Sequence, residues 1–128
     1  MKRNEILAVI LLGLATIGTI IAVVTIEHYR RSNFFTVELI ARSPKNGNWD
    51  PGRIILPYGK EVKLMIRNVE TVSHGFAIPE FNVGVREIKA GEVVVVKFVP
   101  DKKGTFPFMC TVWCSNEHLQ MRGEIIVE

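Results

Sequence analysis

Two hydrophobic rhythms divide the chain. From Ile6 to Ile26 the sequence runs for 21 residues with no charge and no proline. That is the length needed to cross a hydrocarbon core of about 30 Å as a helix. A cleavable signal would have a shorter apolar run and a small-x-small cleavage motif, and neither precedes Glu27. The first stretch therefore predicts one uncleaved transmembrane helix. After Asn33 the rhythm changes to alternation. Phe35, Val37 and Leu39 interleave with polar neighbours in a first strand, 33–42, and Val62, Leu64 and Ile66 do the same in a later one. Arg53–Leu56, the Phe76–Ile78 and Val83–Val85 segments, Thr105–Met109 and Glu124–Glu128 add further short strands. Val93–Val99 is a β-branched run that predicts a strand buried on both faces. Turn formers punctuate the series: 43–52, 57–60, a turn over Arg86–Glu92, and 100–104. About eight short strands with frequent turns predict an all-β sandwich or barrel.

Charge sharpens this division. The 128 residues carry 16 Lys and Arg against 13 Asp and Glu, a formal net charge of +3. Lys2, Arg3, Arg30 and Arg31 flank the apolar stretch, and the rest of the chain is nearly neutral. The basic balance belongs to the anchor, and no nucleic-acid footprint is present. The basic residues on the two flanks nearly cancel as a guide to orientation. The expected organisation is an anchor, 1–32, and a soluble domain, 33–128.

The candidate chemistry is concentrated near the end of the chain. Cys110, Cys114, His118 and Met121 follow one another at spacings of four, four and three. Two thiols, an imidazole and a thioether form a soft ligand set suited to copper. With His74 from upstream, Cys114, His118 and Met121 already supply the ligands of a mononuclear blue-copper site. Cys110 is then surplus. A second thiolate lets both sulfurs bridge two copper ions, each taking one histidine. Two other readings use fewer of these residues. A disulfide between Cys110 and Cys114 leaves His118 and Met121 unexplained. A Cys2His2 zinc site leaves Met121 without a role. Gly75, next to His74, permits close backbone approach.

The pattern Cys-x3-Cys-x3-His-x2-Met with an upstream His resembles the binuclear CuA domain of cytochrome oxidase subunit II and of the C-terminal part of nitrous-oxide reductases. The resemblance extends over Val72–Phe76, Gly104–Phe106 and Met121–Val127, and so covers roughly Phe34 to Glu128. It implies a cupredoxin Greek key whose ligand loop joins the last two strands. It implies two copper ions held by His74, Cys110, Cys114, His118 and Met121 and by the carbonyl of Val112. Val112 has no carboxylate, so no magnesium site of the kind found in many oxidase subunits is expected from this chain. His74 is expected to need an acceptor for its other ring N–H, but Thr71 stands where the family often has an acid, with Glu70 beside it.

The role implied is electron transfer without bond chemistry in this chain, as subunit II of a membrane haem–copper terminal oxidase. The partners would be the oxidase's catalytic subunit and a soluble c-type cytochrome or small copper protein as donor. The domain would lie on the outer, periplasmic side of the cell membrane. A tethered CuA carrier for nitrous-oxide or nitric-oxide reduction, and a copper-delivery protein, are the alternatives. Trp49, Phe108 and Trp113 are each open to two readings, as core packing or as part of a docking surface.

Overall fold

The computed structural model describes residues Lys2–Glu128. An N-terminal helix, α1 (Arg3–Ser32), is followed by eight strands. These are β1 (Phe34–Ala41), β2 (Arg53–Leu56), β3 (Glu61–Asn68), β4 (His74–Ile78), β5 (Val83–Ile88), β6 (Val93–Phe98), β7 (Gly104–Met109) and β8 (Arg122–Val127). Chain contacts separate the helix from the strands between Asn33 and Phe34. The helix is long and apolar enough to cross a membrane. Its aliphatic side chains, Leu11, Leu12 and Ile20 among them, are exposed, as a lipid-facing surface requires. Thr16, Thr19 and Thr25 return their hydroxyls to backbone carbonyls one turn earlier, which satisfies these donors within the helix.

The strands form two sheets, ordered β1-β3-β6 and β2-β8-β7-β4-β5. β1 runs parallel to β3 and β2 parallel to β8, while the other pairs are antiparallel. One buried cluster draws on both sheets. Leu39, Leu64 and Ile66 come from the first, and Ile54, Leu56, Phe76, Ile78, Phe108 and Ile125 from the second. The alternating pattern read from the sequence is therefore the alternation between this core and solvent. The result is a two-sheet β-sandwich with mixed parallel and antiparallel pairing.

Two elements differ from the sequence reading. β6 is buried on one face only. Val94, Val96 and Phe98 pack towards the core, while Val93, Val95 and Val99 are exposed. β6 is an edge strand of the three-stranded sheet, and its outward side chains Val93 and Val95 are exposed. The β-branched run thus reflects strand propensity, not double burial. β5 also continues through Arg86–Ile88, where a turn is expected. Its register against β4 shifts between the pairs His74↔Ile88 and Phe76↔Val85, so β5 carries one extra residue. This bulge breaks the alternation in the sequence and lets Ile88 turn inward.

Candidate metal centre

β7 and β8 are antiparallel neighbours, so the chain between them must reverse at one end of the sandwich. That reversal is the segment 110–121. Cys110 follows the last residue of β7, and Met121 precedes the first residue of β8. The Cys110 N–H donates to the Met121 carbonyl at 3.0 Å, which closes the loop at its base. A single 3-10 turn, His118–Gln120, orients the far side. His74 opens β4, which pairs with β7 on the other side. His74 and Phe76 stand two residues apart on β4 and so share its inward face, where both are buried.

The six candidate ligands converge at this end. His74 Nδ1 lies 3.9 Å from Cys110 Sγ, and the Val112 carbonyl oxygen lies 3.2 Å from the same sulfur. His118 Nδ1 lies 3.7 Å from Cys114 Sγ, and Met121 Sδ lies 3.6 Å from it. The two cysteine sulfurs are 4.0 Å apart and unbonded. Ligand atoms of His74, Cys110 and Cys114 all lie within 4.8 Å of one another. His118 and Met121 join through Cys114, and Val112 through Cys110. A soft set of two sulfurs, two ring nitrogens, a thioether and a carbonyl fits copper. A tetrahedral zinc site would use neither Met121 nor Val112, and a cystine would need the sulfurs about 2 Å closer.

Close backbone approach is required beside His74. A Cβ on Gly75 would fall 2.2 Å from Thr111 Oγ1 and 3.1 Å from the Val112 nitrogen. The absence of a side chain lets the Gly75 N–H donate to Cys110 Sγ at 3.4 Å. Burial alone would push the Cys110 thiol up, but the His74 ring and the Gly75 N–H outweigh it and hold it below the ordinary thiol value. Burial and the neighbouring Cys110 push the Cys114 thiol up to about 11. Burial lowers His74, yet its bonds to Cys110 and Glu70 prevail and raise it. Without metal the cluster therefore divides its protons unequally, and a metal that binds both sulfurs must displace the proton from Cys114.

Three aromatic rings floor the site. Trp49 meets Phe76 and Phe108 at centroid distances of 5.6 and 5.7 Å, and Phe76 meets Phe108 at 5.7 Å. All three are buried. Trp49 and Phe108 are therefore core residues, and the docking-surface reading does not hold for either. The Trp49 indole Nε1–H donates to the Met121 carbonyl at 3.2 Å, so the ring also fixes the base of the loop. Trp113 is different: it is 70% exposed, as is Leu119 at 74%, and its ring lies 6.1 Å from that of His118.

Sequence reasoning left the outer partner of His74 open, and the structure supplies it. Glu70 Oε2 lies 2.9 Å from His74 Nε2. The same carboxylate receives Ser43 and Asn46 from the turn after β1. Burial would raise the Glu70 carboxyl, but the donors from Asn46, Ser43 and His74 outweigh it and hold it below its usual range. Glu70 sits in a loop, where strand periodicity does not predict direction. The only signal was a carboxylate four residues before a candidate ligand.

Comparison with known proteins agrees with this architecture. Residues 14–127 match the model of the cupredoxin-like domain family. The nitrous-oxide reductase of Cupriavidus necator is 36% identical over 103 residues, 78% of this chain but 15% of that protein. The alternative cytochrome c oxidase subunit 2 of Bradyrhizobium diazoefficiens is 39% identical over 77 residues, 60% of this chain and 27% of that one. A chain of a haem–copper terminal oxidase dimer, solved by cryo-electron microscopy, superposes with a TM-score of 0.62 at 28% identity, covering 73% of this chain and 64% of that one. The chain thus spans a minor part of the curated relatives' length. A two-sheet sandwich, a ligand loop between its last strands and these matches together establish that the chain belongs to the cupredoxin-like domain family, the copper-binding fold shared with nitrous-oxide reductase and cytochrome c oxidase subunit II.

Proposed function

We propose that the domain is a binuclear CuA centre. His74, Cys110, Cys114, His118 and Met121, with the Val112 carbonyl, would hold two copper ions, the cysteines doing so as thiolates. When bound, such a centre supplies one-electron exchange shared over two metals. The chain's own contribution is placement. The sandwich fixes the sulfurs and rings before any electron arrives, and the Trp49–Phe76–Phe108 floor keeps water from the inner side. The observation that carries this reading is the presence of Cys110 beside Cys114, each sulfur with its own imidazole nitrogen within 4 Å.

The role that follows is the electron-accepting subunit II of a haem–copper terminal oxidase. α1 would anchor it in the cell membrane, with the copper domain on the periplasmic side. Trp113 and Leu119 give the donor, a c-type cytochrome or small copper protein, an exposed apolar patch beside His118. The nearly neutral domain makes docking there weakly dependent on salt. The 36% identity to nitrous-oxide reductase favours a second reading, a tethered CuA carrier serving that reduction. Copper delivery fits less well, because Cys110 and Met121 are buried and favour retention.

Copper analysis and an electron paramagnetic resonance spectrum of the copper-loaded chain test the centre. Two copper ions per chain and one unpaired electron shared between them are expected. Cys110→Ser should abolish the shared signal. A wild-type spectrum of one isolated copper, or one zinc per chain, would refute the binuclear reading. Co-purification of a haem-containing partner separates the oxidase subunit from the lone carrier.

A further inference from the structure

The segment between β1 and β2 leaves the sheet after Ala41 and returns at Arg53. Ile40 and Asp50 close it, their backbones exchanging hydrogen bonds of 2.8 and 3.0 Å. Within it two successive residues have positive φ, Gly47 at 121° and Asn48 at 62°. Asn48 carries a side chain, and asparagine is one of the few residues besides glycine that enter the left-handed region. Consecutive side chains of an extended chain point to opposite faces. The left-handed backbone at Asn48 breaks that alternation, and the side chains of Asn48 and Trp49 both reach the ligand loop.

Asn48 Nδ2 donates to the Gln120 carbonyl at 3.1 Å, and Trp49 Nε1 donates to that of Met121 at 3.2 Å. These acceptors are the last two residues of the loop. Asn48 Oδ1 accepts the Trp49 N–H at 2.8 Å, so both ends of the amide are engaged. The Asn48 N–H donates to the Ser43 carbonyl at 3.1 Å, which ties the residue to the start of its own turn. Met121 is held at both ends of its backbone. Its N–H donates to the His118 carbonyl at 3.0 Å, and its own carbonyl is shared by Trp49 and Cys110. Its side chain is buried, with Sδ 3.6 Å from Cys114 Sγ. The same turn makes a further contact with the loop, Lys45 Nζ to Glu117 Oε1 at 3.6 Å, but the Lys45 side chain is 74% exposed and water screens the pair.

We propose that Asn48, acting with Trp49, is a positioning residue for Met121: by holding the Gln120 and Met121 carbonyls it sets how closely the thioether stands to Cys114. This rests on the reading of Met121 as a weak copper ligand. A weak axial ligand tunes the potential of a copper site. A turn that contributes no ligand of its own thus becomes a determinant of the potential. A thioether held less closely donates less to oxidised copper, so loosening this clamp raises the potential.

The test uses the full chain in detergent, metal-free and copper-loaded. Asn48→Gly keeps the left-handed backbone and removes the amide. In the metal-free chain, hydrogen exchange of the Cys110 and Met121 N–H groups should quicken about fivefold, the equivalent of one ordinary hydrogen bond, and by more than exchange in β3. In the copper-loaded chain the midpoint potential should rise. In a Met121→Leu background Asn48→Gly should leave the potential unchanged, because the thioether through which it acts is gone. Lys45→Ala cuts the exposed contact from the same turn and should move neither reading. Trp49→Phe should move both in the direction of Asn48→Gly, and it serves if the glycine variant does not fold. The proposal is overturned if exchange in folded Asn48→Gly stays within about twofold of the wild type, if its potential equals that of the wild type, or if its potential shift persists without Met121. Met121→Leu alone tests the ligand reading: a potential it leaves unchanged refutes Met121 as a ligand, while metal-free exchange still reports on the clamp, so the two failures are seen separately.

Discussion

The two histidines of the site occupy opposite kinds of position. His74 is fully buried on a strand, its outer nitrogen tied to Glu70 and its ring 6.5 Å from that of Trp49. His118 is half-buried on a single 3-10 turn within a loop, and its ring neighbour is the exposed Trp113. One side of the site is scaffold and the other is surface. The electron-transfer role proposed above calls for both, a rigid side that limits rearrangement and an open side that a partner can approach. Substitutions on the His74 side should therefore cost stability and metal retention. Substitutions on the His118 side should cost exchange with the partner.

The largest effect is expected at Gly75. In Gly75→Ala the new Cβ meets Thr111 Oγ1 at 2.2 Å and the Val112 backbone at 3.1 Å, so the strand and the ligand loop must part. Overpacking of this kind costs about 1–3 kcal/mol. Denaturant unfolding of the metal-free chain should show that loss, and copper uptake should fall with it. Next is Trp49→Phe, which keeps a ring on the aromatic floor but leaves the Met121 carbonyl with one donor fewer. A loss of about 1 kcal/mol is expected by the same measurement.

Acid should act on the rigid side through Glu70. Its carboxyl lies below the usual 4.5 in the folded chain. Its contribution to stability is therefore complete above about pH 4.5 and is lost as the pH falls through the folded value. Unfolding midpoints of the metal-free wild type should drop over that acid range, and Glu70→Gln should flatten that part of the profile. The smallest effect on folding is expected at Trp113→Ala, within about 0.5 kcal/mol because the side chain is 70% exposed. Electron exchange with a donor should slow all the same. If Trp113→Ala left exchange untouched and destabilised the fold, the division between scaffold and surface would be wrong.

Much of this division was legible in the sequence, and the rest was hidden for identifiable reasons. Alternation in β1 and β3 marked the core face directly, because the strands lie in a sheet with one buried side. The spacing of Cys110, Cys114, His118 and Met121 marked the candidate loop, because a short chain reversal brings such neighbours together whatever surrounds it. The partner of His74 was not legible. Glu70, Ser43 and Asn46 meet through two loops separated by β2 and β3, and no local period encodes that meeting. Phe108 and Trp49 were ambiguous because an aromatic beside a ligand loop can face either way; only the packing of three rings decides it. The extra residue in β5 also broke the alternation and disguised a strand as a turn.

The candidate ligands come from two places in the chain, residue 74 and residues 110–121, joined only when β4 lies beside β7. The parallel pairing of β2 with β8 likewise waits for the final strand. A chain still lacking its last strand holds Cys110 and Cys114 on a segment that β8 has not yet closed. Firm retention of a metal by the proposed ligands would thus be a property of the finished sandwich.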